Sequence, residues 1–438
     1  MAKGLSARQS VMVGVTLFSM FFGAGNLILP PLLGFQAGTE SVPAIAGFLV
    51  TAIGLPVMGV MACALVGDLD RLAGRVHPRF AAVFAILIYL SIGPCLAIPR
   101  TSSTSFEMLV PLLSGALGGD ASSLAMVRGV FSVAFFALAT LMALRPSKLT
   151  KLLGTVTGPA LIALIVLVVG ASIAAPLSAP GAVQAPYDAA PAVQGFITGY
   201  QTMDLLASLT FGIIIAKNIR DLGVTEGGSV AREVMRAGVF MGVLMALVYC
   251  GTAYVGTTLG ADAGAVTNGA TVLTLSASAH FGVAGTIIIA AIFLLACLNV
   301  CTGLLSCCGE FFHERFARVP YRAWVVGFAV FSCVASNAGL DAILAFSVPL
   351  LNALYPVAIV LVLMGMVHRL CDRVIPVWKW VGWVVAVVSV ATSLRDTLAA
   401  GMWLPFDALP LAGLGFNWVV PAVLAAAAGA VHGRLVQR

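Results

Sequence analysis

Charged residues are scarce in this sequence. Asp, Glu, Lys and Arg make up 9% of the 438 residues, against about 25% in an average soluble domain, whereas apolar residues make up 61%. This composition excludes a soluble globular protein. A spanning helix with its connection needs about 30 to 35 residues, so the chain has room for about twelve spans and for no extramembrane domain.

Signatures of catalysis and of ATP binding are also missing. The five histidines do not fall into the H-x-x-x-H spacing of a metal site, and there is no G-x-x-x-x-G-K-[ST] phosphate loop. The nine cysteines lie in or beside apolar runs without metal or disulfide spacing, which indicates small apolar core residues. The basic residues are spread along the chain rather than gathered in a patch, which argues against nucleic acid. We therefore expect neither an enzyme nor a bound cofactor.

Long apolar runs fill most of the chain. Because lipid offers the backbone no hydrogen-bond partners, such runs must be helices, and they are too unbroken for barrel strands. The sequence predicts an all-α membrane protein with about twelve transmembrane helices in a single domain. The runs cover residues 11–33, 43–66, 81–113, 127–144, 152–175, 192–216, 237–259, 283–309, 322–337, 342–367, 377–394 and 416–432.

Lys and Arg are divided unevenly between the two sides of this arrangement. All but three of the 23 fall at the termini or in the even-numbered connections, and the exceptions are Arg100, Arg128 and Arg395. The positive-inside rule then predicts that both termini are cytoplasmic, with a lipid bilayer around the chain.

The first run is interrupted at its centre. Four small or polar residues lie in mid-span, and Pro30 and Pro31 follow within two turns. Glycine lowers the cost of non-helical dihedrals, and proline removes amide donors. We expect the helix to open there and to restart as a half-helix whose first turn tolerates proline, with free amides that suit a substrate carboxylate. The alternative is an unbroken helix packed closely through small residues. The candidate substrate-binding residues are Gly23, Ala24, Gly25 and Asn26.

The sixth run has an unusual density of polar residues. Asp204 is the most informative, because a carboxylate at mid-bilayer costs about 2.5 to 3.5 kcal/mol on insertion scales. It is a candidate to line a water-filled site, to receive a substrate ammonium indirectly or to hold backbone amides. The alternative is a structural aspartate satisfied by neighbouring hydroxyls. The candidate binding residues here are Tyr200, Thr202, Met203, Asp204 and Ser208.

The two interrupted runs are five helices apart. This offset predicts two inverted repeats, formed by helices 1–5 (residues 11–175) and helices 6–10 (residues 192–367), followed by helices 11 and 12 (residues 377–432). In such a fold the transport site lies at the midplane, between the two broken helices.

Polar residues in two other spans have less specific meanings. In the eighth run Asn299, Thr302 and Ser306 share one helix face, where they are candidates either to ligate sodium or to hydrogen-bond neighbouring helices. In the third run Arg100 and Glu107 are about two turns apart near the outer face. They are candidates for a gate pair or for a structural ion pair.

Four segments, in order along the chain, resemble one family. They are LFSMFFGAGNLILPPLLGFQAG, AIPRTSSTSFE, GYQTMDLLASLTFGI and CTGLLSCCGEFF. Together they resemble the bacterial branched-chain amino acid:cation symporters of the BrnQ type. The resemblance covers nearly the whole chain and implies a LeuT-like fold in the bacterial inner membrane. It also implies import of leucine, isoleucine and valine with sodium. We infer no obligate protein partner from the sequence.

The first helix also looks like that of more distant sodium-coupled amino acid transporters. This likeness implies that the amides of Ala24 and Gly25 meet the substrate carboxylate, and that the carbonyls of Ser19 and Phe22 join helix 8 around sodium. Helix 8 departs from the pattern, because Asn299 and its neighbour replace adjacent hydroxyl residues. A proton-coupled variant therefore stays open, as do symport of another amino acid or a nucleobase, a passive channel and a substrate sensor.

Overall fold

A computed structural model describes residues 4–117, 121–145, 151–260, 266, 268–338, 340–399 and 402–436. Over these residues the chain is helical and contains no strand. The α-helices are α1 (Ala7–Phe21), α2 (Ala24–Ala37), α3 (Ser41–Leu49), α4 (Leu55–Val66), α5 (Leu69–Gly74), α6 (Pro78–Leu90), α7 (Ala97–Glu107), α8 (Val110–Leu117), α9 (Ala121–Ala143), α10 (Gly158–Ala174), α11 (Pro191–Tyr200), α12 (Asp204–Asp221), α13 (Gly227–Thr257), α14 (Gly269–Phe281), α15 (Val283–Arg315), α16 (Tyr321–Ser336), α17 (Leu340–Met366), α18 (His368–Cys371), α19 (Pro376–Leu398) and α20 (Val419–Val436).

The number of spans depends on how broken helices are counted. Within the described ranges, eight helical segments are long and apolar enough to cross a membrane, or nine if α11 and α12 form one bent span. This count does not confirm twelve. It joins the second half of the first predicted run to the second run in one segment of 43 residues, Ala24–Val66, and α1 with 15 residues is too short to be counted alone. The all-helical membrane fold is confirmed, while the bounds of the two repeats stay a prediction.

The first predicted span is broken, and the break is short. Helix α1 ends at Phe21, Gly23 is extended with φ −120° and ψ −163°, and α2 begins at Ala24. The opening is therefore narrower than residues 23–26. Pro30 and Pro31 lie inside α2 rather than in its first turn, so that part of the prediction was wrong. Helix α2 begins this early for a local reason: the Asn26 Oδ1 atom accepts a hydrogen bond from the Gly23 amide at 3.1 Å, which caps the start of the helix.

The sixth predicted span is also broken. Helices α11 and α12 are bent by 43° at a short link. Met203 in this link has φ +66°, which is the left-handed region that a residue with a side chain rarely adopts. The α-helix restarts at Asp204, so the carboxylate lies at the positive end of a helix dipole.

The second half of the broken first span packs closely on α13. A Cβ atom at Gly34 would lie 1.9 Å from the Ala253 carbonyl oxygen, and one at Gly256 would lie 1.9 Å from the Pro31 carbonyl oxygen. Only glycine permits these backbone contacts, which are typical of membrane helix interfaces. This contact brings the middle of α13 beside the break.

Candidate functional site

A cavity of about 60 Å³ lies where the two broken spans meet α7 and α15. This volume holds a few water molecules. Its polar wall comes from the two breaks, and its other wall is apolar. We call it the central cavity; its apolar wall includes Met20, Phe21, Ile92, Leu96, Phe211 and Leu304.

A hydrogen-bonded group joins the two breaks to α13. Asn26 Nδ2 donates to Asp204 Oδ2 at 2.6 Å and to the Tyr249 hydroxyl at 2.5 Å. The Tyr249 hydroxyl donates in turn to Asp204 Oδ2 at 3.2 Å. All three side chains are buried. We refer to Asn26, Asp204 and Tyr249 as the midplane triad.

The sequence interpretation missed Tyr249. The available signal was a tyrosine in the middle of a 31-residue apolar helix, since a buried tyrosine hydroxyl usually needs a partner. That signal does not name the partner. Asp204 was interpreted either as a structural residue or as part of a site. Its carboxylate accepts hydrogen bonds from neighbouring groups, as the structural interpretation requires, and the same side chain lines the central cavity, as the site requires.

Most of the predicted substrate-binding residues meet at this place. Six of the nine line the central cavity, and two others line only a neighbouring cavity that is described below. Ser208 lines neither of these cavities, because its hydroxyl donates to the Leu205 carbonyl and packs against Gly59 of α4. The six in the central cavity are Gly23, Ala24, Asn26, Thr202, Met203 and Asp204.

The neighbouring cavity has a volume of about 520 Å³ and is called the Tyr200 cavity. Gly25 and Tyr200 line it, and the Tyr200 ring lies against Tyr355 with 4.1 Å between the ring centroids. Arg100 lines both this cavity and the central one. Glu107 lies two turns further along α7 and lines neither. Among the described residues, no ion pair within 4.0 Å joins Arg100 to Glu107, and a role of the two residues as a gate stays a prediction.

A third cavity of about 490 Å³ lies beyond the opposite end of the site and is called the Arg220 cavity. Helix α12 connects it to the central cavity, because Phe211 lines the central one and Leu209 and Ile213 line the Arg220 cavity. The Tyr89 ring lines the Arg220 cavity and stacks on Phe311 at 3.9 Å. The central cavity thus has a larger cavity on each side.

The predicted sodium ligands are only partly brought together. Thr302 donates to the Leu298 carbonyl at 2.7 Å and lies beside Met142 of α9. Ser306 donates to the Thr302 carbonyl at 2.8 Å. The residue of α15 that faces the break is Val300, 3.0 Å from a Cβ placed at Gly23. Thr302 is about 200° around the helix from Val300, so its hydroxyl points away from the break.

Asn299 differs from the two hydroxyl residues. Its side chain is fully buried, and within the described part of the chain neither its oxygen nor its nitrogen has a hydrogen-bond partner. In the first span, Ser19 donates to the Leu153 carbonyl at 3.4 Å, and Phe22 ends the first half-helix with its carbonyl outside regular helical geometry. A buried polar group without a partner is costly, so Asn299 is the member of the predicted set that most needs a ligand.

Comparison with known proteins shows the family of this chain. A family described as branched-chain amino acid transport protein matches residues 6–436. The branched-chain amino acid permease BraB of Bacillus subtilis is 36% identical, over 98% of this chain and 97% of its own. The branched-chain amino acid transport system 2 carrier protein of Pseudomonas aeruginosa is 38% identical, over 97% and 96%. This chain belongs to the branched-chain amino acid transport protein family. It is a member of a transporter family, not of an enzyme family.

Solved structures share the fold of this family member at low sequence identity. A nucleobase-cation-symport-1 family transporter, closed with bromovinylhydantoin bound, superposes with a TM-score of 0.60 at 14% identity, over 98% of this chain and 92% of its own. A manganese transporter of Eremococcus coleocola superposes with a TM-score of 0.52 at 14% identity, over 98% and 95%. These neighbours are transporters of the LeuT-like fold, as the sequence resemblance implies.

Proposed function

We propose that this protein imports leucine, isoleucine and valine into a bacterial cell by sodium-coupled symport. The observation that carries the proposal is the central cavity, which joins a buried carboxylate and a helix start to an apolar wall. A branched-chain amino acid has the matching chemistry, with two opposite charges at one end and a hydrocarbon side chain at the other. Membership of the branched-chain amino acid transport protein family supports this choice of substrate.

Each end of the substrate has a partner in the proposed site. Asp204, held by Asn26 and Tyr249, receives the ammonium. The amides of Ala24 and Gly25 at the start of α2 face the carboxylate, because helix starts bind anions. The branched side chain lies against the apolar wall. The larger cavities on the two sides are the routes of entry and exit in an alternating-access cycle.

The coupling ion is proposed to be sodium. Carbonyl groups of Ser19 and Phe22 and the side chain of Asn299 offer the oxygen ligands that a hard cation prefers. Thr302 and Ser306 are weaker candidates because their hydroxyls already donate to carbonyls of their own helix. Proton coupling is the second candidate, since Asp204 is a titratable group inside the proposed site.

The proposed location is the inner membrane with both termini in the cytoplasm. Asp68, Arg71 and Arg220 line the Arg220 cavity, and the two arginines belong to the side that the positive-inside rule assigns to the cytoplasm. The Tyr200 cavity then faces outward. No obligate protein partner is proposed.

Uptake into liposomes tests the function. Purified protein is reconstituted, and labelled leucine uptake is followed under an inward sodium gradient or an inward proton gradient, with empty liposomes as the control. We expect saturable accumulation with sodium, inhibited by isoleucine and valine more than by nucleobases or other amino acids. Absence of uptake under both gradients would refute the proposal. Uptake under the proton gradient alone would show that the coupling ion is a proton and not sodium. Equilibration without accumulation would indicate a channel, and binding without transport would indicate a sensor.

The ion ligands are tested by the sodium dependence of the same uptake. Asn299→Ala is expected to raise the sodium concentration for half-maximal uptake about tenfold or more, since a ligand to the ion is lost. Thr302→Ala and Ser306→Ala are expected to raise it less. An Asn299→Ala protein with the sodium dependence of the wild type would remove Asn299 from the site.

A further inference from the structure

Arg100 occupies an unusual position for an arginine in a membrane span. The third span is kinked at Gly93, where φ is −87° and ψ is −121°, and α7 begins just after the kink. This kink turns Arg100 towards the break of the first span, so that its Nη2 atom would lie 2.9 Å from a Cβ placed at Gly25. The guanidinium therefore lies against the start of α2, in the space left by the missing side chain of residue 25.

Among the described residues, the guanidinium is near opposite charge but is not bonded to it. Its backbone amide donates to the Leu96 carbonyl at 3.1 Å, whereas within the described ranges the guanidinium makes no hydrogen bond and no ion pair. Asp204 lines the same cavity, but no ion pair within 4.0 Å joins the two described side chains. The Asp204 carboxylate instead accepts hydrogen bonds from the other two members of the midplane triad.

An unpaired charge inside a membrane protein is costly unless a partner or water compensates it. Here a cation and an anion face one cavity without meeting each other. The start of α2 lies beside the cation, and the amides of a helix start also favour an anion. The geometry is complementary to a molecule that has a negative and a positive group on adjacent positions, with each group next to its opposite charge.

We propose that Arg100 binds the carboxylate of the amino acid substrate, while Asp204 binds its ammonium. The inference deepens the proposed function and rests on it. Arginine is suited to this task because its planar group can donate two parallel hydrogen bonds to one carboxylate. The pair would select α-amino acids against amines and carboxylic acids of the same shape. Since Arg100 also lines the Tyr200 cavity, it is accessible to the carboxylate before the substrate reaches Asp204.

The test compares leucine with leucinamide, which keeps the ammonium and the side chain but has no carboxylate. Affinities are measured by equilibrium binding to purified protein. The variant is Arg100→Gln. The matched control is Arg128→Gln, which removes an arginine on the same predicted side that lies over the Phe106 ring and does not line the central or the Tyr200 cavity.

We expect the wild type and Arg128→Gln to bind leucine at least about tenfold more tightly than leucinamide. Arg100→Gln should weaken leucine binding about 10- to 100-fold, because a hydrogen bond to a charged group is lost, and should leave leucinamide affinity within about threefold. The ratio of the two affinities then falls towards one. Arg100→Lys should keep part of the ratio, because lysine retains the charge but not the paired donors.

Three results would overturn the proposal. The first is a wild type that binds leucinamide as tightly as leucine, which needs no variant. The second is a parallel loss of affinity for both ligands in Arg100→Gln, as a structural or gating role predicts. If that variant does not fold, the third is Arg100→Lys with an unchanged ratio. Failure of the proposed function looks different, because the wild type would then bind no leucine with either sodium or protons present.

Discussion

Tyr249→Phe is the sharpest test of the midplane triad, because it removes one oxygen atom and keeps the ring. The Tyr249 ring packs edge-on against Phe48 with 5.2 Å between centroids, and phenylalanine preserves that contact. The change deletes one donor to Asp204 and one acceptor for Asn26. A hydrogen bond to a charged group is worth about 1.5 to 3 kcal/mol and a neutral one about 0.5 to 1.5 kcal/mol.

Asn26 keeps its 2.6 Å hydrogen bond to Asp204 in this variant, so the loss is expected to be near the lower end of those ranges. We expect the free energy of unfolding to fall by about 2 kcal/mol. Leucine affinity should fall about fivefold, which corresponds to about 1 kcal/mol, because the carboxylate loses one of the donors that hold it. The measurements are thermal unfolding in detergent and equilibrium binding of labelled leucine.

Tyr254→Phe provides the matched control, because Tyr254 lies on the same helix with 38% of its surface exposed, and this variant should behave as the wild type. A double-mutant cycle that combines Tyr249→Phe with Asp204→Asn provides a second test. Most of the binding cost of Tyr249→Phe should disappear in that background, since the charge it orients is gone. Additive costs, or a Tyr249→Phe protein indistinguishable from Tyr254→Phe, would refute the triad as a functional unit.

Three further predictions concern other parts of the molecule. Asp204→Asn should weaken leucine binding about 10- to 100-fold while the protein stays folded, and wild-type binding and uptake would make Asp204 purely structural. Gly34→Ala should lower the free energy of unfolding by about 1 to 3 kcal/mol through overpacking against α13, whereas Gly170→Ala, which meets nothing within 4 Å, should not. Arg75 holds the pKa of Asp372 below its ordinary value by a hydrogen bond. The stability from this pair is therefore present above about pH 4 and lost as the pH falls further, so melting curves of Asp372→Asn and the wild type should differ at pH 7 and approach each other as the pH is lowered below about 4.

The two breaks could be predicted because their causes are local. Glycine beside a polar residue in the middle of an apolar run weakens the helix at that point, and Asp204 is conspicuous by its charge. Tyr249 could not be assigned in this way, because it lies 223 residues from Asn26 and 45 from Asp204 along the chain. Its role follows from the close packing of α2 on α13, which no local pattern specifies.

The other differences between prediction and structure concern the direction in which a helix face points. The spacing of Asn299, Thr302 and Ser306 predicts one shared face, but spacing does not say which neighbour that face meets. In the structure the Thr302 hydroxyl lies beside α9. For the same reason Ser208 packs on α4 although it belongs to the polar cluster of the sixth run. The sequence was sufficient to find the polar residues, but the structure was needed to show which helices they contact.

The glycine-mediated contact between α2 and α13 has a consequence for the energetics of a transport cycle. Backbones that touch at Gly34 and Gly256 leave no side-chain layer to deform, so the two helices are expected to move as one rigid body. Asn26 and Tyr249 are carried by that body and would keep their mutual geometry in every state of the carrier. The contact between Asn26 and Tyr249 then does not have to be broken and formed again in each transport cycle. Only the contacts of these two residues with Asp204 change, and the free energy of the ion gradient is needed for that change alone.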